Sequence, residues 1–183
     1  GGRTCIRRVP VVPNSDDFYN KDFLACMYEE IQRNPADCLY GDFFAHQEDS
    51  MFSILSADLD ELFYRMSLNH QAALIRNSVF KNLNGYDENL KIAADWDFFL
   101  RALISGCSFH KYSEAFVHFY FGGLSSIKDC EPEKEYIIRK NISNSLNIRY
   151  ADIKYLFCDG IFLNSPEKER ILNCVSRSNN QQI

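Results

Sequence analysis

Two acidic stretches and one histidine are the residues of this chain best suited to chemistry. Asn14-Ser15-Asp16-Asp17 follows a short valine-rich segment and sets two carboxylates side by side. Adjacent carboxylates repel one another unless a cation or a helix N-terminus offsets their charge. The stretch therefore reads either as a divalent-cation site or as the capping turn of the next helix. Asp95 opens a later helical stretch, where a carboxylate is either a first-turn acid favoured by the helix dipole or a proton acceptor. Asp97 has Arg101 at the spacing of an i,i+4 pair. His70 stands just before the apolar run Ala72-Ala73-Leu74-Ile75, where a hydrogen-bonded structural role competes with a ligand-facing one.

The spacing of apolar residues predicts the elements that must hold these groups. Ala72 to Ile75 has the length and composition of a buried strand. Asn77 is placed to cap a helix from Ser78 to Leu83, with Val79, Phe80 and Leu83 on one face. Asn84-Gly85 stops that helix, and the acidic loop Tyr86-Asp87-Glu88-Asn89 follows. From Asp95, Phe98, Phe99, Ala102 and Leu103 recur at buried-face spacing until Gly106.

Upstream, Asn20 to Asn34 patterns as an amphipathic helix with Phe23, Leu24, Met27, Tyr28 and Ile31 on one face. Cys38-Leu39-Tyr40 and Phe43-Phe44 read as an edge strand interrupted at Gly41-Asp42. His46 to Leu68 has no clean period and reads as a covering loop with a short helix around Asp58 to Met66. In residues 1–13, Pro10, Pro13 and three arginines disfavour a central strand. Ser108 to Tyr112 and Ala115 to Phe121 read as strands. Glu131 to Tyr150 and a segment begun by Pro166 read as helices, ahead of a polar tail.

Composition narrows the class. At 183 residues with 46% hydrophobic content, the chain suits one sizeable core. A net charge of −5 argues against a nucleic-acid binder. No apolar run reaches transmembrane length, so the expected location is cytoplasmic, with peripheral contact at the inner face of a membrane kept open. The seven cysteines form no CxxC pair and read as reduced, structural residues.

Taken in order, HQAALIR, NGYDE and AADWDFFLRALISG, with NSDD upstream, resemble the C-terminal half of the catalytic domain of family 2 glycosyltransferases. The resemblance covers roughly residues 14–126 and implies a GT-A fold: a mixed α/β sheet with flanking helices. On that reading residues 1–127 are the C-terminal half of a GT-A domain and residues 128–183 a helical C-terminal extension. It implies inverting transfer of a sugar from a nucleotide-sugar donor, a UDP- or GDP-sugar, to a glycan or lipid-linked acceptor. Asp95 then occupies the place of the catalytic base. Asp16 and Asp17 occupy that of the DxD-like motif holding Mg2+ or Mn2+ against the diphosphate. His70 lies where the strand runs beneath the donor, and Gly123 and Ser125 fall in the loop that closes over the diphosphate. Many relatives carry a metal-binding histidine near Phe121-Gly122, where the nearest histidine here is His118.

The first half of the resembled domain, with most nucleotide-base contacts, has no counterpart in this chain, which is the expectation for a truncated domain. Two rival readings follow. One is a non-catalytic fragment or interaction module. The other is a nucleotidyltransferase using the same acids, which leaves the GYDE and ADWD stretches unexplained.

Overall fold

An apolar run such as Ala73-Leu74-Ile75 needs cover on both of its faces, and the computed structural model supplies it. The structure describes residues 8–9, 17–47, 50–63, 65–121 and 131–143. Its strands are β1 Arg8–Val9, β2 Phe18–Tyr19, β3 Cys38–Tyr40, β4 Phe43–Gln47, β5 Ser50–Leu55, β6 Ala73–Arg76, β7 Phe109–Lys111 and β8 Val117–Tyr120. Its α-helices are α1 Phe23–Arg33, α2 Asn77–Asn82, α3 Ala94–Ile104 and α4 Glu131–Ile138, the last continuing into a π-helical turn, Arg139–Ser143. Short 3-10 turns cover Asp60–Phe63 and His70–Ala72.

The strands form two sheets, ordered β1-β6-β3-β7 and β2-β8-β4-β5. β6 runs antiparallel to both β1 and β3, whereas β3 and β7 are parallel. In the second sheet β4 and β8 are parallel, with β2 and β5 added antiparallel at the edges. This is a mixed α/β arrangement with flanking helices.

Strand alternation explains the two cores of the first sheet. Cys38, Tyr40, Ala73 and Ile75 face a cluster with Trp96, Phe98, Phe99 and Leu100 of α3 and Ile137, Ile138 and Ile142 further on. Leu39 and Leu74 face the other way, onto Phe23 and Met27 of α1 with Tyr112 and Phe116. A sheet covered on both faces reads as a continuous apolar run rather than an alternating one.

Gly41-Asp42 is the bend where the chain passes from the first sheet to the second. A Cβ on Gly41 would lie 2.1 Å from the Tyr112 ring, so only glycine admits that ring. The Tyr112 hydroxyl and the Gly41 amide both donate to the Ala72 carbonyl, at 2.9 and 3.1 Å. Asp42 accepts from the Ala57 amide and pairs with Lys111 at 2.7 Å.

Several local expectations are corrected. β3 and β4 are interior strands, not an edge, because β7 and β8 return parallel beside them. The covering loop contains β5, whose pairing with β4 supplies the order that its sequence pattern lacks. Leu24 and Tyr28 are solvent-exposed, because α1 buries only the narrow stripe of Phe23 and Met27. α2 begins at Asn77 itself, with Arg76 at the N-cap position and no side-chain cap. Asn84 and Gly85 both take positive φ, at 60° and 64°, as the expected turn requires.

Candidate active site

The 3-10 turn at the mouth of β6 joins the two acidic stretches. Asn69 caps this turn by accepting from the Gln71 amide at 2.8 Å, which fixes the direction of the next two side chains. His70 Nδ1 lies 3.1 Å from Asp95 Oδ2. Gln71, fully buried, donates its Nε2 to Asp17 Oδ2. One dipeptide therefore holds Asp95 on one side and Asp17 on the other.

Asp95 is the second residue of α3, and its Oδ1 accepts from the Trp96 amide at 2.8 Å. Its side chain remains 23% exposed, open enough to meet a ligand. Tyr86 stands nearby, its hydroxyl pKa pushed up by burial and then by the Asp95 charge.

The helix is anchored well beyond this residue. Trp96 is buried and donates Nε1 to the Leu62 carbonyl at 2.7 Å. The expected Asp97–Arg101 pair forms at 2.7 Å, but inside the protein: Asp97 is fully buried. Arg101 also donates to the carbonyls of Leu83 and Gly85, tying the turn before the acidic loop to α3.

Asp17 is buried, with Oδ1 accepting from the Tyr120 amide at 2.9 Å and Oδ2 engaged by Gln71. Burial and the Asp17 charge together push the Tyr19 hydroxyl up to about 12. Gln71 Oε1 is buried without a hydrogen-bond partner among the described residues. Carboxylate and amide oxygens are the ligand types that hard divalent cations prefer. Among the described residues no cluster of three or more His, Cys, Asp or Glu side chains assembles. Mg2+ is commonly held by one or two carboxylates with phosphates completing its shell, so this oxygen-only set fits in kind. Asp16, Gly123 and Ser125 lie outside the described residues.

His118 has both ring nitrogens occupied. Nε2 donates to Asn20 Oδ1 at 2.9 Å, which leaves Nδ1 to accept from His46 Nε2 at 2.8 Å. Phe18 stacks on its ring at 4.3 Å. Burial, followed by the His46 neighbour, lowers its pKa. Arg76 lies 3.5 Å from Asp37 and donates to the Pro35 carbonyl at 2.7 Å.

Sequence reading missed Gln71 as the partner of Asp17, although its position beside His70 was the available signal. It also missed His46, whose partner His118 lies 72 residues away in sequence.

No protein-family model matches the chain. Over 137 residues it is 31% identical to proteins of Mycobacterium bovis and Mycobacterium tuberculosis named PGL/p-HBAD biosynthesis glycosyltransferase. The chain is related to glycosyltransferases. The match takes in 73% of this chain, which spans about half, 52%, of the length of these curated relatives. Its fold is similar to that of Staphylococcus aureus TarS residues 1–349, crystallised with UDP-GlcNAc. That TM-score is 0.56 at 17% identity, covering 90% of this chain and 54% of that one. Against the same TarS segment with UDP the TM-score is 0.51 at 16% identity, with the same coverage. At such identity the TarS likeness is one of fold.

Proposed function

We propose that this chain forms the C-terminal half of a family 2 glycosyltransferase domain of GT-A type. Its reaction is inverting transfer of a sugar from a UDP- or GDP-sugar to a glycan or lipid-linked acceptor. The observation that carries this reading is the His70-Gln71 turn, whose adjacent side chains contact Asp95 and Asp17 from distant parts of the chain.

Asp95 takes the acceptor hydroxyl proton as the new glycosidic bond forms, because an alcohol is a poor nucleophile until that proton leaves. His70 meets one Asp95 oxygen and the Trp96 amide donates to the other, and the partly exposed carboxylate keeps further lone pairs for the acceptor hydroxyl. Single displacement with inversion requires no second carboxylate nucleophile. Asp16, with Asp17 beside it, is the proposed holder of Mg2+ or Mn2+, which when bound supplies positive charge against the departing diphosphate. Gly123 and Ser125 are proposed to approach that diphosphate. A cytoplasmic location, with the inner membrane face as a place of work, belongs to the same proposal; among the described residues no helix is long and apolar enough to cross a membrane.

The alternative reading is donor binding or partner binding without turnover. Calorimetric titration of UDP- and GDP-sugars with Mn2+, followed by mass analysis of acceptor mixtures, separates the two. A sugar-extended acceptor whose formation is lost in Asp95→Asn supports the transferase. Donor binding without product supports the second reading, and nucleotidyl transfer or no donor binding by the folded chain overturns the first.

A further inference from the structure

The three amides that lead into α3 donate to one carboxylate from a distant helix. Lys91, Ile92 and Ala93 donate their backbone N–H groups to Glu133 of α4 at 2.9, 3.0 and 2.9 Å. Consecutive amides converging in this way form an anion-holding concavity, and the helix N-terminus behind them adds positive potential. Burial pushes the Glu133 carboxyl up, but the amides of Ala93, Lys91 and Ile92, with the Lys91 charge, outweigh it and leave the pKa lowered.

A second grip lies further along the same segment. Lys140 donates to Asp87 at 2.7 Å and to Asp97 at 3.1 Å, and Asn141 donates to Asp97 at 2.8 Å. Tyr136 donates its hydroxyl to Asp87 at 3.3 Å. Glu133, Tyr136, Ile137, Lys140 and Asn141 share one face by helical spacing. The π turn at 139–143 carries Lys140 and Asn141, both of which reach Asp97. The acidic loop is thus held at Asp87, the segment entering α3 at residues 91–93, and α3 itself at Asp97. Asp95 lies between the last two.

We infer that Glu133 is a positioning residue for Asp95: its carboxylate fixes the backbone entering α3, and thereby the Asp95 side chain against His70. The functional meaning of this clasp rests on the proposed role of Asp95; its geometry does not. Loosening residues 91–93 lets the first turn of α3 fray, and the Asp95–His70 contact is carried on that turn.

The test uses the whole chain with Glu133→Ala and Glu133→Gln, the latter keeping one acceptor oxygen. Hydrogen exchange at residues 91–93 is expected to accelerate at least tenfold in Glu133→Ala and less in Glu133→Gln. The 15N signal of His70 Nδ1, read at fixed pH, is expected to move in the same order. If transfer is detected, kcat falls with the donor Kd unchanged. Faster exchange with an unmoved His70 signal overturns the positioning role, and unchanged exchange overturns the clasp itself. Absence of transfer by the unaltered chain counts against the proposed function, while the exchange and His70 readouts still decide the inference.

Discussion

His70 and Asp95 meet at 3.1 Å, although one opens the 3-10 turn before β6 and the other lies in the first turn of α3. The contact leaves both side chains partly exposed, at 30% and 23%, so the pair faces outward rather than serving the core. His70→Gln keeps a polar side chain but loses the imidazole geometry. On the proposed mechanism kcat falls roughly 10- to 100-fold, the scale expected for a misplaced reacting group. Asp95→Asn falls further, by about 10²–10⁴-fold, because the proton acceptor itself is lost. Steady-state kinetics with a separately measured donor Kd check both; a donor Kd that worsens in His70→Gln while kcat holds would assign the histidine to the donor instead.

Gln71 carries a different burden. Its amide nitrogen is a buried partner of Asp17, so Gln71→Leu leaves the carboxylate with one donor fewer inside the protein. The expected cost is on the order of 1–3 kcal/mol, the usual penalty for a buried polar group deprived of its partner. Gln71→Glu sets two carboxylates together, so its destabilisation relative to the parent is expected to be larger at pH 7 than at pH 4. Urea unfolding at the two pH values checks the sign.

The elements around this site were legible because their signals are local. β6, the Asn84-Gly85 turn and α3 each follow from residues within a few positions of one another. β5 was illegible because its order comes from β4, across a bulge between Ala45 and His46, and not from its own alternation. The helical character of Glu131 onward was visible, yet what it holds was not: Glu133 meets amides 40 to 42 residues back, a relationship no window of sequence displays. The same holds for Gln71 and Asp17, and for His46 and His118. Local periodicity finds elements, whereas convergence of polar groups depends on how the elements are brought together.

The Gly41 bend gives a prediction of stability without chemistry. Gly41→Ala would place a methyl 2.1 to 2.6 Å from Tyr112 ring atoms, and the ring is held by its own hydroxyl at the Ala72 carbonyl. Overpacking of this kind costs about 1–3 kcal/mol. Tyr112→Leu removes the ring and its hydrogen bond, so the double variant is expected to be less destabilised than the sum of the two single ones. A coupling of roughly 0.5–3 kcal/mol in a double-mutant cycle by chemical denaturation is the expected result. Additive effects would mean that the ring and the bend do not constrain each other.

Acid sensitivity of the α4 clasp follows from two carboxylates. Lys140, then the Asn89 amide, holds the Asp87 carboxyl well below the ordinary range, and the amides of residues 91–93 hold Glu133 below it against the opposing effect of burial. A carboxyl with a folded pKa below its unfolded value stabilises the fold above the unfolded value, and that contribution is lost as pH falls through the folded one. With ordinary values of about 3.9 for Asp and 4.3 for Glu, both contributions are complete near pH 6 and decline from about pH 5 downward. Glu133→Gln removes one of the two titrations, so its stability relative to the parent is expected to recover as pH is lowered from 6 to 3. Asp87→Asn behaves in the same direction, with Lys140 left to Asp97 alone. Thermal unfolding followed across that range checks the prediction. A gap between variant and parent that stays constant with pH would mean that the carboxylate charge contributes nothing to holding α4 on the start of α3.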